Sequence, residues 1–148
     1  MKKIGEYTCR GSIKGNNDLN TAQQERISLF DGSFGTAYKV IEFKLLTMDA
    51  ESYGILATED LGIAGGILAR SQDAADNRQI AWASSPVNSA DGDEYVDTDN
   101  LIVEDLFVNL ASTAVVSAKI SYAIKLEKYS VSDWQGALAM VRSKSQNV

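Results

Sequence analysis

Lys119-Ile120-Ser121-Tyr122-Ala123-Ile124-Lys125-Leu126-Glu127 alternates without a break, with Ile120, Tyr122, Ile124 and Leu126 on one side and small or charged residues on the other. A period of two is that of the β-strand, whose successive side chains point to opposite faces. The stretch therefore predicts a strand with one dry and one wet face. Ile41, Phe43 and Leu45 alternate in the same way with Glu42, Lys44 and Leu46, and are preceded by Tyr38 and Val40. Apolar parity changes between Val40 and Ile41, which predicts a bulge or a strand covered on both sides.

Weaker strand signals surround these two, at Gly5 to Ile13, Arg26 to Phe30, Tyr53 to Thr58, Ile63 to Ala69, Gln79 to Ser84 and Ile102 to Leu110. Ile63 to Ala69 reads equally well as part of a helical turn. Asp31-Gly32-Ser33-Phe34-Gly35 is a turn signal. Lys14 to Glu25 is polar and predicts a solvent loop whose second half could form a short helix. Ser84 to Asn100, which holds the only proline, Pro86, predicts a second long loop. About eight short strands with no helices between them predict a mainly β fold, an antiparallel β-sandwich or barrel, with the jelly roll as one member of that class.

One helix is expected, at about 132–145. Ser132 and Gln135 have the spacing of a capping box, in which each side chain bonds the other residue's backbone N–H. Trp134, Ala137, Leu138 and Val141 then fall on one helical face, with Asp133 in the first turn and Arg142 and Lys144 near the end, as the helix dipole favours. The sequence thus reads as a single domain over 1–148, a sandwich with a C-terminal amphipathic helix.

The 148 residues suffice for one core without disulfides or metal. Cys9 is the only cysteine, so no intrachain disulfide exists, and its apolar alternation with Tyr7 and Ile13 predicts a buried structural thiol. There is no histidine, which removes the commonest general base and the commonest zinc ligand. A net charge of −6 argues against a surface built to neutralise nucleic-acid phosphates. No apolar run approaches the length of a spanning helix, and the N-terminus is too short in its apolar part for a signal peptide. A soluble product synthesised in the cytoplasm and no membrane partner are expected.

Asp91-Gly92-Asp93-Glu94-Tyr95-Val96-Asp97-Thr98-Asp99-Asn100, with Glu104 and Asp105 beyond, holds no basic residue. Asp91, Asp93, Asp97 and Asp99 could supply the oxygen ligands that calcium prefers, although the spacing is not that of an EF-hand. A solvated acidic loop or a contact with basic partners is the plainer reading. Glu59, Asp60, Asp91 and Asp93 offer carboxylates for acid/base work of the glycosidase kind, without any specific spacing. Gly62-Ile63-Ala64-Gly65-Gly66 lacks the lysine and the glycine spacing of phosphate-binding loops and reads as a turn. Trp82, in alternation with Ile80, reads as a sheet-face residue, with stacking on single-stranded nucleic acid as the alternative.

Ile27 to Phe30 with Asp31-Gly32, Ala37-Tyr38-Lys39-Val40, Asn77-Arg78-Gln79-Ile80-Ala81-Trp82, and the run from Tyr122 to Tyr129 through Trp134-Gln135-Gly136-Ala137-Leu138 together give a texture that covers most of the chain. It resembles that of small uncharacterised structural proteins of marine virus genomes, regarded as capsid or capsid-associated β-sandwiches. The resemblance implies a non-catalytic virion subunit that assembles with copies of itself or with other virion proteins. It also implies subunit contacts at the acidic segment, with calcium as one option, and basic termini (Lys2-Lys3, Arg142 and Lys144) facing the genome. The alternative is a receptor- or carbohydrate-binding sandwich that uses Tyr53, Tyr95 and the acidic loop.

Overall fold

Alternation in the sequence becomes two facing sheets. The structure, a computed structural model, describes residues 2–14, 23–30, 32, 35–46, 51–62, 72–85, 92–112, 119–132, 135 and 138. Its strands are β1 (Lys2–Lys14), β2 (Gln23–Ser28), β3 (Thr36–Leu45), β4 (Ser52–Ala57), β5 (Gln79–Ser85), β6 (Asp93–Val96), β7 (Asp105–Ser112) and β8 (Lys119–Ser130). A three-stranded sheet has the order β1-β8-β3, and a five-stranded sheet the order β2-β7-β4-β5-β6. Every strand pair in both sheets is antiparallel.

The dry side of β8 is the floor of the core. Ile120, Tyr122, Ile124 and Leu126 are buried, and each faces a β1 partner, Ile13, Gly11, Cys9 and Tyr7 respectively. On the other flank Leu126 meets Val40, Ile124 meets Phe43, and Tyr122 meets Leu45. The register of β3 against β8 shifts between Val40 and Glu42, so Ile41 is the extra residue of a bulge at the position where the apolar parity changes. Without it, Phe43 would turn to the solvent face.

Across the core, the five-stranded sheet contributes Leu56, Ile80, Ala81, Ala83, Leu106, Val108 and Leu110 to the same apolar cluster. Phe43 reaches across the core onto Gly54 of β4. A Cβ at Gly54 would fall 2.8 Å from Phe43 Cζ and 3.0 Å from Leu110 Cδ2. Tyr122 makes a second close fit, since a Cβ at Gly11 would come within 2.8 Å of its hydroxyl. That hydroxyl bonds Glu25 on β2, which ties the two sheets together at one end of the core.

Two ladders keep one register across both sheets. Lys14 faces Lys119 in β1–β8, Gln23 faces Leu110 in β2–β7, and the intervening stretches 15–22 and 111–118 are equally long. The pairs nest: β1–β8 is outermost, β2–β7 lies within it, and β4–β5 is innermost, while β3 lies alongside β6.

Several expectations need correction. Gln23 to Glu25, expected in a loop or short helix, are extended in β2, because Val108, Asn109 and Leu110 of β7 pair with them. β6 lies inside the stretch expected to be a loop, since pairing with Ala81 to Ser84 overrides the poor strand propensity of Asp93 and Glu94. Ile102 makes only an isolated bridge, to Tyr38, and the strand expected from it begins at Asp105. Cys9 is half-buried rather than buried, and desolvation pushes its thiol pKa up. Ile63 to Ala69 lies outside the described residues.

Among the described residues no helix element is found where one is expected at about 132–145, a range of which only Ser132, Gln135 and Leu138 are described. Gln135 and Leu138 have helical backbone, and the Ser132 N–H donates to Gln135 Oε1 while the Gln135 N–H donates to Ser132 Oγ, both at 3.2 Å. Those are the two bonds of a capping box. Leu138, placed on the apolar face by periodicity, is 44 % exposed. Trp134, Ala137 and Val141 lie outside the described residues. No helix among the described residues is long and apolar enough to cross a membrane.

Two stability predictions follow from these contacts. Phe43→Ala should cost ~3–5 kcal/mol in denaturant melts, and Gly54→Ala ~1–3 kcal/mol by overpacking. Because the two groups touch, the pair should be non-additive, with Gly54→Ala nearly harmless once Phe43 is alanine. Tyr122 carries the second prediction. Burial and Glu25 push its phenol up to about 12 from 10. Between those values the unfolded chain loses the proton that the folded chain keeps, so stability falls as pH rises. Tyr122→Phe should flatten that alkaline limb in melts followed against pH, at a cost of ~1 kcal/mol near neutrality for the lost hydrogen bond.

Candidate functional site

The outer faces of the two sheets differ in chemistry. On the three-stranded sheet the outer face is charged. Lys3 Nζ lies 2.7 Å from Glu6 Oε1 and 2.6 Å from Glu127 Oε2, Tyr129 donates to Glu127 at 2.8 Å, and Lys39 sits 5.3 Å from the centre of the Tyr129 ring. The hydrogen bond from Lys3, then that from Tyr129, holds the Glu127 carboxyl below its usual range. These groups are solvated and mutually satisfied.

The outer face of the five-stranded sheet carries one row that crosses every strand: Tyr95 on β6, Trp82 on β5, Ile55 on β4, Asn109 on β7 and Gln24 on β2. Its Gln24 end is closed by a polar network. The Gln24 amide donates to Asn109 Oδ1 at 2.8 Å and to Asp60 Oδ1 at 3.2 Å, and the buried Asn109 amide donates to the Ile55 carbonyl at 3.3 Å. The Gly62 N–H also donates to Asp60 Oδ1 at 2.8 Å, and this bond, followed by that from Gln24, holds the Asp60 carboxyl low. Asp60 is therefore an ionised structural acceptor.

At the other end the row is aromatic and open. Trp82 and Tyr95 have ring centroids 6.3 Å apart with their planes at 36°, and Tyr95 is 70 % exposed. Tyr53, on the same face of β4, packs with Trp82 and Leu61 against Ile55 and Ala111, and its hydroxyl bonds Glu51. The Trp82 indole N–H donates to Gln79 Oε1 at 2.7 Å, and Gln79 Oε1 also accepts the Asp73 N–H at 3.0 Å. Asp76 next to it receives Arg78 Nε at 3.0 Å and Nη2 at 2.7 Å, a two-pronged bond that holds the carboxyl low. The indole is thus locked in place, while Tyr95 faces water.

Where β3 ends beside β6, a cleft of about 220 Å³ is lined by Lys44, Leu45, Leu46, Ser84, Gly92, Asp93 and Glu94. Lys44 lies 3.1 Å from Glu42 Oε1, and this bond, with Glu94 adding a weaker attraction, raises its ammonium pKa. The cleft pairs one cation with two carboxylates and a short apolar wall.

The acidic residues expected as calcium ligands are spread along this edge. Asp93 opens β6, Asp97 follows its end, and Asp97 Oδ1 accepts the Asp99 N–H at 3.2 Å in a local turn. Asp93, Asp97 and Asp99 are exposed, and among the described residues no group of three or more His, Cys, Asp or Glu could hold a metal ion. Asp91 lies outside the described residues. Asp60 does not approach Asp93 as a catalytic carboxylate pair would. Asp60 is held at β2 and Asp93 stands on β6, strands separated by roughly 19 Å at ~4.8 Å per strand step. Glycosidase carboxyls lie ~5–9.5 Å apart.

The Trp82–Tyr95 pair was not legible as a pair, because Tyr95 sits in an acidic stretch that reads as a loop. The adjacent Tyr95 and Val96, an aromatic and a β-branched residue, were the one signal that it belongs to a strand. The chain matches no protein-family profile, no curated protein and no solved structure.

The spread of Asp93, Asp97 and Asp99 predicts the outcome of a metal test. Thermal melts in millimolar calcium and in EDTA should agree within about 1 °C, since a ligand that binds only the folded state would raise Tm.

Proposed function

We propose that this chain is a non-catalytic virion structural protein, a capsid or capsid-associated subunit built as a jelly-roll sandwich that assembles with copies of itself. The strand order is the observation that supports the reading. A chain that folds on itself as nested antiparallel pairs, β1–β8 around β2–β7 around β4–β5, with β3 beside β6, follows the wrapping of a jelly roll. That architecture recurs in viral capsid proteins, lectins and cupins. The resemblance of the sequence to marine virus structural proteins points the same way. In this reading the acidic edge at β6 and a C-terminal helix over about 132–145 supply subunit contacts, and the basic termini face the genome.

A fold shared by several functions does not choose among them, and one observation favours a second reading. The locked Trp82 beside exposed Tyr95, with Tyr53 one strand further on, makes a strip of aromatic rings that a sugar or receptor could cover. Assembly separates the two readings. Electron microscopy and static light scattering of the purified chain should find particles or large symmetric oligomers. A monomer at every concentration would sink the shell reading. Glycan binding that disappears in Tyr95→Ala would then establish the second.

A further inference from the structure

We infer that β1 is a self-pairing edge through which two copies of the chain align antiparallel about a two-fold axis at Thr8, an inference that rests on the reading of the chain as a self-assembling subunit. β1 spans 13 residues and pairs with β8 along one side, and among the described residues no strand occupies its other side. Such an edge offers a row of backbone donors and acceptors to another strand. It also carries two of the largest exposed apolar side chains, Ile4 at 49 % and Tyr7 at 50 %.

The strand's own sequence selects the register. Thr8 is the midpoint of Lys2–Lys14, so full overlap of two antiparallel copies sets Thr8 against Thr8, Tyr7 against Cys9, Glu6 against Arg10 and Gly5 against Gly11. Residues directly opposite share a face. Glu6, Thr8 and Arg10 lie on the solvent side with Glu127, Lys125 and Ala123, whereas Tyr7 and Cys9 lie on the core side with Leu126 and Ile124. The pairs between Gly5 and Gly11 are therefore matched in face, and the bulge between Lys3 and Gly5 ends the match there, since it puts Lys3 on the solvent side opposite the core-side Ile13. Glu6, the one acid of β1, keeps one oxygen on Lys3 of its own chain and meets the partner copy's Arg10 with the other, once in each half of the dyad. The half-exposed Tyr7 ring covers the partner's half-buried Cys9 position.

Neighbouring registers lose this. A slip of one residue would oppose core-side to solvent-side positions. Moving the axis by one residue sets Glu6 opposite Ser12 or Thr8 and removes both ion pairs. The Lys2 and Lys14 positions, at the ends, are the one like-charged pair. An isologous contact of this kind joins two three-stranded sheets into one and closes on itself, so it produces a dimer that other surfaces can then assemble.

Cross-linking and charge reversal test the pairing in the full chain. In a Cys9→Ser background, Thr8→Cys should give a disulfide-linked dimer under mild oxidant, since directly opposed strand residues lie ~4.5–5.5 Å apart, within disulfide reach. Ser12→Cys in the same background should not. Glu6→Arg and Arg10→Glu should each weaken dimerisation about tenfold in sedimentation equilibrium, and the double variant should return to within about threefold of wild type. Circular dichroism melts check that each variant is folded. No cross-link at position 8 above that at position 12, or association indifferent to both reversals, would overturn the inference. Particles that form without the position-8 cross-link overturn the β1 pairing and leave the shell reading intact. A position-8 dimer in a sample that never forms particles supports the pairing and removes the shell reading.

Discussion

Continuity of register between the β1–β8 and β2–β7 ladders is the constraint on which the rest of the molecule depends. The ladders run from Gly5 and Lys128 to Lys14 and Lys119 and from Gln23 and Leu110 to Ser28 and Asp105, and both keep the same register. A one-residue slip in either ladder would turn its inward row to solvent. β8 bears most of this constraint, because it is the central strand of its sheet and carries a fully apolar inner row between two partners. Pairing of chain ends is entropically expensive and slow to form, so the fold relies on the burial that follows it.

That burial is locked at two points where a glycine admits a ring. Phe43 on Gly54 sets the spacing of the sheets, whereas Tyr122 lies over Gly11 of its own sheet and turns its hydroxyl toward Glu25 of the other. Both rings come from the three-stranded sheet and reach toward or along the core at sites where any side chain would collide. Of the two, Phe43 crosses to the wide sheet and Tyr122 packs on its own. With five strands facing three, the wide sheet also has surface to spare, and its outer row is where the chemistry of the molecule diverges. The Gln24–Asn109–Asp60 end is sealed by hydrogen bonds, and the Trp82–Tyr95 end is left open. The self-pairing proposed for β1 lies at the opposite side of the sheets from the β6 edge, so a dimer there would leave the aromatic strip and the cleft at Lys44 accessible.

Legibility in the sequence followed the strength of the local signal. β8 and β3 were plain from alternation, and the parity change at Ile41 left a bulge or a strand covered on both sides, of which the pairing with β8 shows the bulge. β6 was missed because Asp93 and Glu94 are poor strand formers, held in the sheet only by Ala83 and Ser84 across from them. The start of β2 was missed for the same reason, since Gln23, Gln24 and Glu25 have no intrinsic reason to be extended and owe their conformation to β7. The capping bonds at Ser132 and Gln135 match their spacing. The acidic cluster was legible as composition, but composition carries no distances, and only the sheet shows Asp60 and Asp93 at opposite sides.

The sequence by itself determined that this chain is mainly β, that its inner rows are Ile120 to Leu126 and Val40 to Leu45, and that it has no histidine and no intrachain disulfide, because these are matters of residue identity and of a period of two. Tertiary structure alone decided which strands are neighbours, that the two ends of the chain pair, and that Trp82 and Tyr95 share a surface with Asn109 and Gln24. Pairing partners are chosen by non-local burial, and alternation says which side of a strand is dry without saying what lies against it.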